Sequence, residues 1–486
     1  MPCTTILVGR DASYDGSCMI ARNDDSGAGK FTPKKFVVIE PDKQARTYTT
    51  VISHLTIDLP DNPLSYTCVP NAVEGNGIWA ATGVNALNVG MTATETITSN
   101  PRVLGADPLV VYDPKTGTPG GIGEEDLVYI VLPYINSAKE GVERLGSLLE
   151  KYGTYEMNGI AFSDAKEIWW LESIGGHHWM AKRVPDDRYV VMANQLGIDE
   201  FDFEDAMTSQ TNYMCSKDLP EFINTYHLDL NQGASFNPRL AFGSHDDADH
   251  VYNTPRTWYV ESVMNPTTYK WTGPDADFTP RSDNIPWSLV PENKITVEEV
   301  KYLLSSHYQG TPYDPYKTYG NTSEAGMFRS IGVNRTSFLS LVQTFEDQDA
   351  IQWIAFGANP FNVMIPFYTL VNTTPEYLNN TTAQVDTNNF YWASRLIGAM
   401  ADASFKNSQI WIERYQSASE ASSHHILDVY GAKIAAQKDE DKKLALRLEA
   451  NELVAKTAFE QTQYALDKVL YECSMQMKDA YSRSDA

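Results

Sequence analysis

The chain has 486 residues, of which 42% are hydrophobic, and it carries a formal net charge of −25 at pH 7. Its length and apolar content allow a large buried core. The strong negative charge disfavours binding to nucleic acid or to anionic membrane surfaces, whose phosphates would be repelled. A membrane span is not predicted either, since no run of about 18 consecutive apolar residues is present.

Five cysteines, at positions 3, 18, 68, 215 and 473, are odd in number and widely spaced. Because no C-x-x-C spacing occurs, the sequence indicates neither a disulfide framework nor a zinc ribbon. The start of the chain also lacks the basic segment and apolar stretch that are typical of a targeting signal. These features predict a protein of the reducing cytoplasm.

The chain opens with two strand-like runs separated by a turn signal. Residues 3–9 and 18–23 are rich in β-branched and apolar side chains, and a Tyr-Asp-Gly sequence lies between them. An antiparallel hairpin would place Cys3 opposite Arg22 or Asn23 at its open end. A thiol and a guanidinium would then lie within reach of each other, close to the two carboxylates that end the second run.

Cys3 suits the mechanism of an N-terminal nucleophile. If Met1 and Pro2 are removed, Cys3 carries a free α-amino group with an unperturbed pKa of about 7.7–8.0, close to that of a thiol at about 8.5. The amine can accept the thiol proton and later return it to the leaving group. Arg22 would favour the thiolate, and Asp25 would hold Arg22 and the amine in position. The alternative is a buried cysteine at the start of an edge strand.

The remaining pattern predicts an α+β protein. Strands are expected at residues 36–40, 48–54, 77–82, 88–92, 159–163, 167–172, 179–183, 189–193, 336–343, 350–356 and 362–368, and helices at 124–132 and 138–152. This order indicates helices packed on an antiparallel sheet pair rather than βαβ repeats. Residues 201–335 are polar and loop-rich. Residues 428–481 predict one or two long helices that cap the core or mediate self-association.

Three other patterns have simpler explanations. Residues 75–80 fit a dinucleotide-binding motif, but a strand-like run follows them instead of a helix, so a hairpin turn is favoured. Residues 245–250 carry metal-capable side chains, yet acidic loops are common in so acidic a chain. His177 and His178 offer an acid–base pair, and turn chemistry after two glycines explains them equally well.

The start of the chain, Cys3-Thr4-Thr5-Ile6 with Arg22-Asn23-Asp24-Asp25, resembles the dipeptidase A-type cysteine peptidases of the N-terminal-nucleophile (Ntn) hydrolases, relatives of penicillin V acylase and bile salt hydrolase. Segments 121–127, 170–179 and 183–187 match the dipeptidase branch. The resemblance implies a four-layer αββα Ntn-hydrolase sandwich over residues 3–400. A leader at residues 1–2 would be removed on maturation, and a helical extension at 401–486 would pack on the same domain.

The same resemblance implies three further site residues. Asn194 follows the strand-like run 189–193, where the related families place an Asn that stabilises the oxyanion; a turn residue that ends the strand is the alternative. Asn85 matches a Gly-x-Asn segment that the superfamily carries near its substrate pocket. Arg256 resembles a late active-site Arg, with a loop Arg paired to a nearby carboxylate as the alternative.

The sequence therefore predicts an enzyme that hydrolyses dipeptides through a thioester acyl-enzyme. The expected catalytic residues are Cys3, Arg22, Asp25, Asn194 and Arg256, and the expected substrate-binding residue is Asn85. Neither a metal nor an organic cofactor is required. The expected partners are dipeptide substrates and a second copy of the chain in a homo-oligomer, without nucleic acid or membrane. A non-peptide amide hydrolase of the acylase type and a catalytically silent binding or assembly protein of the same fold are the alternatives.

Overall fold

The computed structural model describes residues 3–27, 29–233, 235–244 and 246–477. Met1 and Pro2, which were predicted to form a leader, and His245, in the run of metal-capable side chains, lie outside the described residues. Within these ranges no helix combines the length and the apolar character needed to cross a membrane.

Strands and helices follow each other along the described chain in a strand-rich first half and a helical end. The strands are β1 (Thr5–Val8), β2 (Cys18–Asp25), β3 (Val37–Ile39), β4 (Thr47–Thr49), β5 (Thr56–Asp58), β6 (Tyr66–Cys68), β7 (Thr82–Asn85), β8 (Gly90–Thr96), β9 (Asn158–Ser163), β10 (Ile168–Ile174), β11 (His178–Arg183), β12 (Tyr189–Met192), β13 (Tyr213–Cys215), β14 (Ser288–Leu289), β15 (Thr336–Thr344), β16 (Ile351–Phe356) and β17 (Ile365–Tyr368). The helices are α1 (Pro101–Ala106), α2 (Leu127–Val131), α3 (Ala138–Tyr152), α4 (Phe203–Met207), α5 (Leu219–Thr225), α6 (Pro238–Phe242), α7 (Asp249–Tyr252), α8 (Thr254–Met264), α9 (Val297–Leu304), α10 (Glu376–Asn379), α11 (Phe390–Ala403), α12 (Phe405–Ala436) and α13 (Glu440–Met475). Short 3₁₀ helices lie at Pro41–Lys43, Leu132–Tyr134 and Asn359–Phe361.

Two antiparallel sheets organise the described residues. The first has seven strands in the order β14-β12-β1-β2-β15-β16-β17, and the second has eight in the order β13-β11-β10-β9-β8-β7-β6-β3. Strands β4 and β5 form a separate two-stranded sheet. Neighbouring strands run antiparallel, as in the pairs β1–β2, β2–β15 and β8–β9. The α+β class predicted from the order of elements is confirmed.

Most strands of the two large sheets are buried on both faces, and successive side chains point to opposite faces. In β1, Leu7 packs in a core shared by the two sheets, whereas Ile6 and Val8 pack in a core that includes side chains of α8, α9, α12 and α13. In β10, Trp170 joins the shared core, whereas Trp169 packs with side chains of α2 and α3. Strands buried on both faces read as continuous apolar runs, which is why the strand signals of this sequence are strong.

The C-terminal helices share the core of the first sheet. Helices α12 and α13 pack on each other and on β17, and Tyr415 and Val454 are buried in the same core as Ile6. Asn451 on α13 accepts a hydrogen bond from the backbone N–H of Tyr368 at 2.9 Å and donates one to its carbonyl at 3.0 Å. The side chain therefore satisfies backbone groups at the edge of the sheet, where a further strand would otherwise pair.

The predicted strand at residues 77–82 is wrong. The backbone turns through positive φ angles at Gly77 (92°), Trp79 (51°) and Ala81 (57°), and regular pairing begins only at Thr82. A Cβ on Gly77 would lie 2.9 Å from Cγ of Glu125, so this close approach requires glycine. Ala80 and Ala81 are buried in this turn, whereas Ile78 and Trp79 are half-buried. The turn directs the backbone carbonyls of Trp79 and Ala81 towards the site described next.

Candidate active site

Cys3 lies two residues before β1, whose neighbours in the seven-stranded sheet are β2 and β12, and its side chain is fully buried. Thr5 is opposite Arg22 in the β1–β2 ladder, which puts Cys3 in line with Asp24. The predicted pairing of Cys3 with Arg22 or Asn23 is therefore wrong by one or two residues. The connection between the strands is a long loop rather than a tight turn, and this loop shifts the register.

Arg22 nevertheless reaches the thiol diagonally across the ladder. Its Nη2 lies 2.8 Å from Sγ of Cys3. Its Nε donates to the carbonyl of Asn23 at 3.0 Å and its Nη1 to the carbonyl of Ala81 at 3.3 Å, so the guanidinium is held from two sides. A buried cation at this distance from sulfur stabilises the thiolate over the thiol. The sequence prediction that the two side chains meet agrees with this geometry.

The carboxylate beside Arg22 is that of Asp24. Its Oδ1 lies 3.4 Å from Nη2 of Arg22, and its Oδ2 lies 3.0 Å from Nζ of Lys34, which also donates to the carbonyl of Trp79. Burial alone would raise the pKa of Asp24, but attraction to Lys34 and Arg22 outweighs it and holds that pKa below its usual value. Asp24 is therefore ionised at neutral pH.

Asp25 points away from this group. Its Oδ1 accepts a hydrogen bond from the hydroxyl of Thr336 at 2.5 Å, and its Oδ2 pairs with Arg329. Alternate residues of a strand face opposite sides, so Arg22 and Asp24 share one face of β2 while Asp25 takes the other. The structure does not bring Asp25 to Cys3, and the contact with Arg22 that the sequence assigned to it is made by Asp24. A catalytic role of Asp25 stays a prediction.

Asn194 and Arg256 hold the backbone of Cys3. The nitrogen of Cys3 donates to Oδ1 of Asn194 at 3.2 Å, and the same oxygen accepts from Nη2 of Arg256 at 2.7 Å. Nη1 of Arg256 donates to the carbonyl of Cys3 and, at 2.7 Å, to the hydroxyl of Thr4. Both groups of the Cys3 backbone are thus fixed by side chains that are distant in sequence.

Arg256 lies in helix α8 rather than in a loop, so the loop alternative is wrong. The helix begins at Thr254 with Pro255 in its first turn, and it is buried nearly all round. A helix without a polar face has no amphipathic pattern, and the sequence therefore gave no helical signal here. Because the helix is buried, the guanidinium of Arg256 lies inside the protein, next to the residues that precede β1. Arg256 is 0% exposed.

Asn194 is oriented by a second contact, since its Nδ2 donates to the carbonyl of Thr96 at 2.9 Å. Its backbone N–H also donates to Oδ1 of Asn253, which in turn accepts from Arg256. Asn194 thus anchors the nitrogen of Cys3, and its role as an oxyanion donor stays a prediction.

Asn85 lies at the far end of β7 from Ala81, whose carbonyl accepts from Arg22. Its Nδ2 donates to the carbonyls of Leu132 and Ile135 at 3.0 and 2.8 Å, and its Oδ1 accepts from two backbone N–H groups of the turn into β8. Asn85 therefore stabilises the turn between β7 and β8. The structure does not bring it to the group around Cys3.

Glu124 completes the buried charges around the thiol. One ligand-type atom each of Cys3, Asp24 and Glu124 lies within 4.8 Å of the others, a spacing that a metal ion could bridge. Nη2 of Arg22 lies within 3.6 Å of all three, so a guanidinium already occupies the centre of this group. No sequence spacing links these residues, and sequence reasoning assigned no role to Glu124 or Asp24. The alternation of β2 was the one signal that could have selected Asp24.

His177, in the turn before β11, and His178, the first residue of β11, belong to a different cluster. Nδ1 of His177 lies 2.9 Å from Oδ1 of Asp107, and Nδ1 of His178 lies 2.7 Å from its Oδ2. Burial would raise the pKa of Asp107, but the hydrogen bonds from both histidines lower it to about 2. The turn explanation of this pair fits these contacts, because Asp107 also accepts from the backbone N–H groups of both residues.

Comparison with known proteins identifies a peptidase family that this chain matches. The sequence profile of peptidase family C69 matches residues 2–418. The chain is 52% identical over 532 aligned positions to a protein named dipeptidase from Bifidobacterium longum, with 100% of both chains covered. It is 49% identical over 490 positions to a probable dipeptidase A from Streptococcus pyogenes serotype M3, again with 100% of both covered. It is 42% identical over 480 positions to dipeptidase A of Lactobacillus helveticus, with 97% of this chain and 96% of that protein covered.

Proposed function

Since the chain belongs to peptidase family C69, we propose that it hydrolyses the peptide bond of dipeptides with the thiol of Cys3 as its nucleophile. The observation that carries the proposal is the 2.8 Å contact between Nη2 of Arg22 and Sγ of Cys3 at a fully buried strand end. Relatives that match this chain over its whole length are named dipeptidases, which favours a peptide substrate over the non-peptide amide of the acylase alternative.

The proposed mechanism begins with removal of Met1 and Pro2, which gives Cys3 a free α-amine. The amine accepts the thiol proton, and the thiolate, stabilised by Arg22, attacks the scissile carbonyl. The C–N bond breaks as the amine returns the proton to the departing amino acid, and a thioester to Cys3 forms. Water, deprotonated by the same amine, then attacks the thioester, releases the second amino acid and restores the thiol.

Asn194 and Arg256 act in this scheme as positioning residues for the amine. Because Oδ1 of Asn194 accepts from the nitrogen of Cys3, it can keep one N–H in place and leave the lone pair for the thiol proton. Arg256 holds that oxygen and adds a positive charge close to the amine, which favours the neutral, basic form of the amine. The oxyanion contact of Asn194 requires its Nδ2 to leave the carbonyl of Thr96 when substrate binds.

We further propose that the fold is the four-layer αββα sandwich of the Ntn hydrolases. A core between the two sheets, a core between the first sheet and the C-terminal helices, and a core between the second sheet and α2 and α3 support this arrangement. Residues 3–400 would form the catalytic domain, residues 401–486 a helical extension packed on it, and residues 1–2 the leader.

A cytoplasmic location is supported by the cysteines, all five of which are free thiols. Self-association stays a prediction. Apolar side chains exposed on α13, including Leu470 and Tyr471, are consistent with it, and sedimentation of the purified protein would measure it.

The proposal is tested by hydrolysis of a small panel of dipeptides and of N-acyl amides, with Cys3→Ala as the comparison. Wild-type protein should cleave dipeptides, and Cys3→Ala should be folded and inactive, because the thiol of a strand end contributes little core volume. Cleavage of the N-acyl amides alone would establish the acylase alternative. Retained turnover in Cys3→Ala would show that Cys3 is not the nucleophile.

A further inference from the structure

We propose that Glu124 binds the α-ammonium group of the substrate and so restricts hydrolysis to peptides with a free amino terminus. This inference rests on the proposed function, since it names a residue that binds the substrate beside the nucleophile Cys3. Neither the family nor the names of the relatives identify the residue that recognises the amino end of a substrate. The segment 121–127, which carries Glu124, is also one of those on which the sequence resembles dipeptidases.

The position of Glu124 relative to the nucleophile is the first support. A carboxylate oxygen of Glu124 lies within 4.8 Å of Sγ of Cys3, and the residue is 1% exposed. In an attacking geometry the scissile carbonyl carbon lies about 3–3.5 Å from sulfur. The α-nitrogen of the acyl residue lies about 2.5 Å from that carbonyl carbon, because both atoms are bonded to the same Cα. An ammonium–carboxylate hydrogen bond of about 2.8 Å then fits between that nitrogen and Glu124.

The other carboxylate of the group, Asp24, is held by two buried cations. Asp24 is in contact with both Arg22 and Lys34, and Lys34 also donates to the carbonyl of Trp79. The separation of 3.6 Å between Nη2 of Arg22 and Oε1 of Glu124 is an ion pair without a direct hydrogen bond. Arg22 uses its short contact for Sγ instead, at 2.8 Å. Glu124 is thus the carboxylate of this group whose contact with Arg22 is longest.

A second carboxylate makes the pocket favourable for a cation. Glu156 accepts a hydrogen bond from the backbone N–H of Glu124 at 3.1 Å. Burial and the nearby charge of Glu124 raise the pKa of Glu156 to about 7. The negative charges of Glu124 and Glu156 repel each other, and a substrate ammonium next to Glu124 relieves that repulsion. An uncharged N-acyl group would not relieve it.

The test compares two substrates that differ only in the amine. Alanyl-alanine carries the α-ammonium group, and propionyl-alanine has the same carbon skeleton with hydrogen in its place. Wild-type kcat/KM should be higher for alanyl-alanine. Glu124→Gln should lower kcat/KM for alanyl-alanine by about 10- to 100-fold, the usual worth of a hydrogen bond to a charged group, and leave propionyl-alanine nearly unchanged.

Alkylation of Cys3 separates this role from a structural one. Removing a negative charge near sulfur favours the thiolate, so Glu124→Gln should alkylate at the wild-type rate or faster. Glu125→Gln is the matched control: its carboxyl is equally buried on the same loop, and it accepts from the hydroxyl of Tyr155. This variant should keep the wild-type ratio of the two kcat/KM values.

Two results would overturn the inference. One is an equal loss on both substrates in Glu124→Gln, or a loss shared by Glu125→Gln, because either would mean a general defect of the loop. The other is wild-type protein that cleaves propionyl-alanine as well as alanyl-alanine, which would leave the hydrolase function intact and remove the amine recognition. Failure of the proposed function looks different, since wild-type protein would then leave alanyl-alanine uncleaved, whether or not it cleaves propionyl-alanine.

Discussion

At the scale of single residues, the charges near the Cys3 thiol depend on which side chains of β2 lie on the same face as Cys3. Cys3, Arg22 and Asp24 lie on one face of the β1–β2 ladder, while Asp25 lies on the other with Arg329. The electrostatics of the nucleophile therefore depend on Arg22 and on the carboxylates around it, and these contacts can be tested separately from turnover.

Arg22→Leu should raise the pKa of the Cys3 thiol and slow its alkylation near neutral pH, because the cation 2.8 Å from sulfur is lost. The measurement is the pH profile of iodoacetamide labelling, read by peptide mass. Cys18 is an internal reference, since burial raises its pKa to about 12 and it should stay unlabelled in both proteins. Arg10→Leu, a change at a partly exposed arginine, should leave the profile unaltered. A profile of Arg22→Leu that overlays wild type would contradict the contact.

Asp25→Asn should reduce stability rather than change the thiol. The substitution leaves the buried guanidinium of Arg329 without its ionic partner, and breaking such a pair costs about 3–5 kcal/mol of unfolding free energy. Chemical denaturation measures this loss, and the Cys3 labelling profile of the folded variant should match wild type. A shifted labelling profile at unchanged stability would instead support the sequence-based role of Asp25 beside the nucleophile.

The sequence identified Cys3 and Arg22 through a hairpin argument, and the two side chains do meet. It selected Asp25 over Asp24 because the alternation of side chains along the second strand was not applied to these two residues. Glu124 and Lys34 could not be found this way. These residues reach the site only because the fold brings distant segments of the chain together, and the pattern of a single sequence does not predict such contacts.

At the level of elements, the sequence predicts amphipathic helices well, because their apolar residues recur with the helical period. It does not predict a helix that is buried on all sides, because such a helix has no periodic pattern. Helix α3 has the predicted bounds, Ala138–Tyr152, because one face packs on the second sheet and the other is exposed to solvent. Helix α8 carries Arg256 but is buried nearly all round, so it has no periodic signal. The predicted helix at 124–132 is shorter, since α2 begins only at Leu127 and residues 124–126 form the acidic turn before it.

That acidic turn should make stability depend on pH. Burial and the neighbouring Glu125 raise the pKa of Asp126 from 3.8 to about 8. A carboxyl whose pKa is raised on folding stabilises the protein while protonated, and this contribution is lost as pH rises from about 4 to about 8. Asp126→Asn, which stays neutral, should therefore flatten the fall in unfolding free energy over this range, by up to about 1.4 kcal/mol per pH unit.

Denaturation at several pH values measures this slope. Asp113→Asn is the control, because hydrogen bonds from Lys115 and Thr116 lower the pKa of the half-exposed Asp113, so it does not titrate in this range. Equal slopes in wild type and Asp126→Asn would show that Asp126 is already ionised at low pH in the folded protein.

On the scale of the whole molecule, the C-terminal helices are part of the same core as the sheet that carries Cys3. The sequence predicted their helical character and left open whether they cap the core or mediate self-association. Their burial against β17 depends on polar contacts such as that of Asn451 with Tyr368, which no periodicity reveals.

Asn451→Leu should destabilise the entire protein. It leaves the buried N–H and C=O of Tyr368 without their side-chain partner, at a cost of about 1–3 kcal/mol for each group. Tryptophan fluorescence and far-UV circular dichroism should still report one coincident unfolding transition, shifted to lower denaturant. Separate transitions for the two probes would mean that the helices unfold independently of the sheets.

The central claim is that the α-amine of Cys3 activates its own thiol, and activity of the precursor tests it most directly. With Met1 and Pro2 attached, the nitrogen of Cys3 is an amide, which is not basic near neutral pH and cannot accept the thiol proton. Dipeptide hydrolysis should be measured on preparations whose intact mass is known. The account predicts turnover only from protein that begins at Cys3. Full turnover from protein whose mass still includes Met1 and Pro2 would contradict it.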